Sequence, residues 1–177
     1  SSALGETAVH LAARRDSVAV LSALKSHKAK VDKAGRGRST PLMEACRAGA
    51  VDSVNWLLAH KAKPDRKNSD GDTPLTLACD GGHAEVGGLL LEAGADHSFA
   101  GGNGPPLVRA VSACRLVPHK GGPGYISVSW TDEGTFTFEP LPEERVLAIV
   151  ESLLQAGASP SAKGLKPLGA AAQAGYL

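Results

Sequence analysis

Apolar positions in this chain recur in short blocks at a fixed distance. Leu57-Leu58-Ala59-His60-Lys61-Ala62 is followed 33 residues later by Leu90-Leu91-Glu92-Ala93-Gly94-Ala95, and the order returns at Leu153-Leu154-Gln155-Ala156-Gly157-Ala158. A second motif keeps step with the first. Thr7-Ala8-Val9, Thr40-Pro41-Leu42 and Thr73-Pro74-Leu75 open at intervals of 33, Pro105-Pro106-Leu107 comes one residue early, and Lys166-Pro167-Leu168 follows after another 61. If 33 is the period, 28 residues are inserted before the last opening. Self-similarity at such a period marks a repeat architecture, in which each unit buries its apolar face against its neighbours. Each unit predicts an opening turn, a short Ala-rich helix, a second helix ending in Leu-Leu, and a polar stretch.

The residues at the unit boundaries fit this reading. Pro41 and Pro74 suit the first turn of a helix, where the missing N–H is no loss and φ is preset. Thr40 and Thr73 stand just before them, where a hydroxyl caps free N–H groups. Ala45 and Ala78 lie one turn further on, small enough to let neighbouring units pack closely. Gly49 and Gly82 follow the first helices, where a left-handed residue stops a helix.

A 33-residue period carrying Gly71-Asp72-Thr73-Pro74-Leu75, Gly82-His83-Ala84-Glu85-Val86 and Leu89-Leu90-Leu91-Glu92-Ala93-Gly94-Ala95-Asp96 resembles the ankyrin repeat family. The resemblance covers nearly the whole chain outside the insertion. It implies an all-α repeat solenoid, a curved helix-turn-helix stack with β-hairpin fingers at the junctions. The fingers and first helices would line a concave surface. Four full repeats are expected at 5–36, 37–70, 71–103 and 104–163, with a partial fifth at 164–177. Three departures stand out: Ala8 replaces Pro, Arg38 occupies the turn-Gly position with Gly37 one place early, and Pro105 replaces Thr. The partial repeat ends on Ala170-Ala171-Ala172 and Leu177 where a polar cap is needed, so a longer parent chain is expected.

The insertion falls between the two helices of the fourth repeat, about 115–141. Pro118, Gly121, Gly122, Pro123 and Gly124 exclude regular helix there. Alternation on both sides of Asp132-Glu133-Gly134 then predicts a β-hairpin over 125–139. A three-residue loop with Gly134 left-handed pairs Trp130 with Phe136 and Val128 with Phe138. That register gathers Ile126, Val128, Trp130, Phe136 and Phe138 on one apolar face. An isolated hairpin is marginal in water, so the face must cover something. Packing back on the chain's own repeats is favoured over docking a partner through Tyr125, Trp130, Phe136 and Phe138.

Composition narrows the class. Apolar residues make up 42% and charged residues 21%, a globular balance. Three cysteines without CxxC spacing argue for a reducing, intracellular setting, cytoplasmic with nuclear as the alternative, over a secreted disulfide framework. No apolar run approaches the roughly 18 residues of a membrane span. Cys46 and Cys79 occupy small-residue positions and are expected to be packing residues. His10 and His83 are expected to hold turns, and Trp56, at a Leu position, is expected in the core, from where its ring could reach the surface. No metal-ligand spacing, phosphate-binding loop or catalytic constellation is present, so the sequence implies no cofactor and no enzyme activity.

Charge changes the picture most. The net charge of +1 conceals a split. Residues 1–70 hold 13 Lys/Arg against 7 Asp/Glu, and residues 71–177 hold 6 against 11, a net of +6 against −5. Lys30, Lys33, Arg36 and Arg38 fall on the first expected finger, and Lys63, Arg66 and Lys67 on the next. This positive rim would attract an acidic peptide or protein surface. Nucleic acid is disfavoured because the run lacks interleaved aromatics for base stacking. The reading is a non-catalytic protein–protein interaction module, an adaptor or targeting scaffold. The alternative is an intramolecular regulatory or substrate-recruiting segment of a larger enzyme or channel.

Overall fold

A computed structural model describes residues 5–99, 104–113, 127–130, 136–139 and 143–159. Eight α-helices occur among them: α1 (Ala8–Arg14), α2 (Val18–Ser26), α3 (Pro41–Ala48), α4 (Val51–Ala59), α5 (Pro74–Asp80), α6 (Ala84–Glu92), α7 (Pro106–Ala113) and α8 (Glu143–Gln155). They stack in two rows. In one, α1, α3, α5 and α7 each pack on the next; in the other, α2, α4, α6 and α8 do the same. Each odd-numbered helix also packs on the even-numbered helix that follows it.

The first row can pack tightly because its contact positions are small. Ala12, Ala45, Ala78 and Ala110 occupy the same helical position in successive units and are buried. The second row supplies bulk. Leu21, Leu57, Leu90 and Leu153 are at most 1% exposed. Burying each such side chain contributes ~2 kcal/mol. Along the second row one contact is closer: a Cβ on Gly87 in α6 would lie 3.0 Å from Cδ1 of Ile149 in α8.

The helix starts are built by a reciprocal device. Thr40 Oγ1 accepts from Met43 N–H and Thr73 Oγ1 accepts from Thr76 N–H, each at 3.3 Å. In return, Thr73 N–H donates to Thr76 Oγ1 at 2.8 Å, and Thr7 N–H to His10 Nδ1 at 3.2 Å. With Nδ1 accepting, the other ring nitrogen carries the proton, and Nε2 donates to Ser39 O at 3.1 Å. Before α7 the cap position is Pro105, which has no N–H, and the residue facing it in the box position is Val108, which has no acceptor.

The helix ends share a second device. After α3, Gly49 is left-handed at φ 70°, and Ala50 N–H reaches back to Ala45 O at 3.0 Å. Ser17 N–H to Ala12 O and His83 N–H to Ala78 O repeat that bond after α1 and α5. Asp16, at φ 53°, takes the place of glycine after α1. Its carboxylate accepts from Ser53 N–H at 2.6 Å, capping the start of α4 in the next unit. The even-numbered helices close in the same way, with Ala29, Ala62, Ala95 and Ala158 donating to Leu24, Leu57, Leu90 and Leu153.

The junctions between units are held by turns, and no strand is assigned over 27–40 or 60–73. Positive φ at Gly37 and Arg38, and again at Gly71, bends the chain back at once and leaves no length for a ladder. In the insertion, strands β1 (Ser127–Trp130) and β2 (Phe136–Glu139) pair antiparallel, with Val128 opposite Phe138 and Trp130 opposite Phe136. The turn at 131–135, Tyr125 and the partial fifth repeat lie outside the described residues.

Candidate partner-binding surface

The first junction is a tight turn. Ser39 N–H donates to Arg36 O at 3.1 Å around Gly37 and Arg38, at φ 60° and 58°. Two consecutive positive φ values are the mirror-image turn that glycine and asparagine favour, yet the second position is arginine. The second junction closes on Asn68, whose Oδ1 accepts from the N–H groups of Asp70 and Asp72 at 2.9 and 2.8 Å. Ser69 ties the two turns together: its N–H and Oγ donate to Gly37 O at 2.7 and 2.8 Å. The junctions are therefore a connected platform.

Charge on this platform divides into two kinds. Arg66 is spent internally, donating to the backbone and carboxylate oxygens of Asp32 at 2.9 and 3.2 Å. Lys67 lies over the Phe99 ring, with Nζ 3.4 Å from its centroid. Lys30, Lys33, Arg36, Arg38 and Lys63 are exposed, and none forms an ion pair with a described residue. So the structure places five expected cations outward and turns two toward neighbouring junctions. At the third junction the sign changes. Asp96 accepts from the hydroxyl and N–H of Ser98 at 2.6 and 2.8 Å, and those bonds hold its carboxyl below the usual range.

Trp56 packs against the core and also reaches the surface. It is half-buried, stacked on His60 with ring centroids 3.9 Å apart, and Lys25 Nζ stands 5.8 Å from its ring. An indole is wider than the leucine it replaces, and here it extends to the helix surface. His83 behaves as a turn residue: Nε2 lies 3.2 Å from Arg47 O, and the ring sits where a Cβ on Gly49 would come within 2.6 Å. Cys46 and Cys79 are buried at equivalent positions of α3 and α5. Burial pushes both thiols up, well away from the thiolate form. Cys114 lies outside the described residues.

Sequence reasoning missed one cluster. Arg109 in α7 is 5% exposed, and its guanidinium meets Asp72 through Nη1 and Asp80 through Nη2, with Nε donating to Asp80 Oδ1 at 2.7 Å. These bonds raise the arginine's already high pKa, the Asp80 bond most. The equivalent residues in α3 and α5 are Glu44 and Leu77, so no periodic signal marks this position. Asp72 and Asp80 each come from the preceding unit, making the cluster a joint between α5 and α7.

The described residues contain no group of three or more His, Cys, Asp or Glu side chains able to hold a metal. No helix among them is long and apolar enough to cross a membrane. No curated protein matches the chain. A family model described as ankyrin repeats (3 copies) matches residues 1–68 and again 37–100, more than half of the chain together.

Proposed function

The chain belongs to the ankyrin repeat family, and from that premise we propose that it is an adaptor that binds an acidic protein surface across its first two junctions. Ankyrin repeats are generally protein–protein interaction modules, and the family is typically non-catalytic. The junctions act as the family's fingers, and with the first-helix row they form the docking surface. The observation that carries this reading is the set of exposed cations Lys30, Lys33, Arg36, Arg38 and Lys63, without ion-pair partners among the described residues, on turns that are bonded to one another. Cations presented on a fixed platform steer an oppositely charged partner and set its register. Arg66 and Lys67 brace the platform through Asp32 and Phe99. Tyr125, Trp130, Phe136 and Phe138 of the insertion offer a second contact. The setting is intracellular and cytoplasmic.

The test is capture of partners on the immobilised chain, identification by mass spectrometry, and measurement of the leading partner's association rate against salt. Reversing Lys30, Lys33, Arg36 and Arg38 to Glu is expected to slow association at least tenfold and to flatten its salt dependence, with the melting temperature nearly unchanged. A partner that binds the reversed protein equally fast would return these residues to an ordinary solvated surface.

A further inference from the structure

Among the described residues, four that are not glycine hold left-handed backbone: Asp16, Lys28, Arg38 and Lys61. Aspartate visits this region readily, and Asp16 repays its conformation by capping α4. The other three are cations, and each stands where other units of the same chain have glycine. Lys28 and Lys61, at φ 62° and 65°, close α2 and α4 at the position that Gly94 and Gly157 fill after α6 and α8. Arg38, at φ 58°, stands where Gly5 and Gly71 have φ 72° and 82°. At Gly94 a Cβ would meet nothing within 4 Å, so the position has room for a side chain and only the backbone objects to one. Lys28, Arg38 and Lys61 are exposed, and none has an ion-pair partner among the described residues. Among the described residues no ion pair or side-chain hydrogen bond follows from the exchange of glycine for these cations. Strain that the fold does not use points to a surface that does.

We propose that Lys28, Arg38 and Lys61 are kept for binding an extended acidic polypeptide that runs along the stack, across the first two units. The inference rests on the protein-binding reading above and names the chemistry of the partner. Lys28 and Lys61 are one unit apart, and packed helices lie roughly 8–10 Å apart. A polyproline-type chain advances about 9 Å in three residues and returns to the same face. Carboxylates three residues apart on such a chain match the spacing of these lysines. Near Lys61 the described aromatic rings are Trp56 and His60, which are already stacked on each other, and a single engaged pair is not a run of platforms for successive bases, which favours a peptide over a nucleic acid.

The experiment uses the chain and a fluorescein-labelled 15-residue peptide, Glu-Pro-Ala repeated, read by anisotropy at low and moderate salt. The Lys28→Gly, Arg38→Gly, Lys61→Gly triple variant is expected to melt several degrees higher, roughly 2–4 °C for each substitution, and to bind at least tenfold more weakly. Arg14→Gln, Arg15→Gln, Arg47→Gln removes the same charge elsewhere and is expected to lose no more than about twofold. Three results would overturn the proposal: a triple variant that binds as well as the parent, one that gains no thermal stability, or a control that loses as much as the triple variant. Tighter binding of an oligothymidine of equal charge would overturn the partner class. A chain that captures a non-acidic protein and ignores the peptide would sink this inference and leave the adaptor reading standing.

Discussion

At the scale of single residues, adjacent glycines in α6 have opposite surroundings. A Cβ on Gly88 meets nothing within 4 Å, whereas one on Gly87 would lie 3.0 and 3.2 Å from Cδ1 and Cγ1 of Ile149. Replacing a helical glycine by alanine adds about 0.5–1 kcal/mol through the unfolded chain's lost freedom. Gly88→Ala is therefore expected to raise stability by that amount in urea unfolding. Gly87→Ala is expected to return less than Gly88→Ala or to destabilise, because Ile149 must repack against the new methyl. The sequence made both glycines look alike, since only the arrival of α8, far along the chain, distinguishes them. The buried cysteines give a second residue-scale expectation. In a Cys114→Ser background, Cys46 and Cys79 should react with a thiol reagent only at the rate of unfolding; fast reaction in the native protein would contradict their burial.

At the scale of elements, the helix boundaries were the most legible feature, for a local reason. Thr40, Pro41 and Gly49 determine where α3 begins and ends by bonds within a few residues of themselves. Thr73→Ala is expected to destabilise by ~1 kcal/mol, since Thr76 N–H loses its partner. Arg109 was illegible because its meaning depends on two carboxylates, 29 and 37 residues away, that no motif ties to it. It is also where an element is held by charge. Arg109→Met leaves Asp72 buried without its cation and is expected to destabilise by ~3 kcal/mol. Adding Asp72→Asn should recover part of that loss, and a double-mutant cycle on urea midpoints measures the coupling. How far Trp56 reaches the surface was open for a related reason: the helix pattern marks a position as inward-facing but says nothing of how large a side chain the inward space accepts. The candidate cations were visible as a charge run, but their division was not. That Arg66 belongs to Asp32 and Lys67 to Phe99 depends on how successive junctions lie against each other.

At the scale of the molecule, the described helices pack within a unit or on the next unit, so stability is the sum of unit and interface contributions along a line. The insertion interrupts the 33-residue period of that line. Replacing residues 116–140 by a short Gly/Ser turn is expected to lower the melting temperature by several degrees, through loss of a few kcal/mol of apolar burial. Unchanged melting with weakened partner binding would instead assign the apolar face of the hairpin to the partner. Trp130 fluorescence in a Trp56→Phe background reports the same choice. The cluster at Arg109 also makes the joints of the line unlike one another in heat. Apolar contacts between α1, α3 and α5 gain little as temperature rises, whereas the hydration that opposes a buried ion pair weakens. Warming should therefore shift the weakest point of the stack away from the joint between α5 and α7 and toward the first units. Amide exchange followed at several temperatures would then find α1 and α2 opening first in the warm protein, with the order drawing closer in the cold.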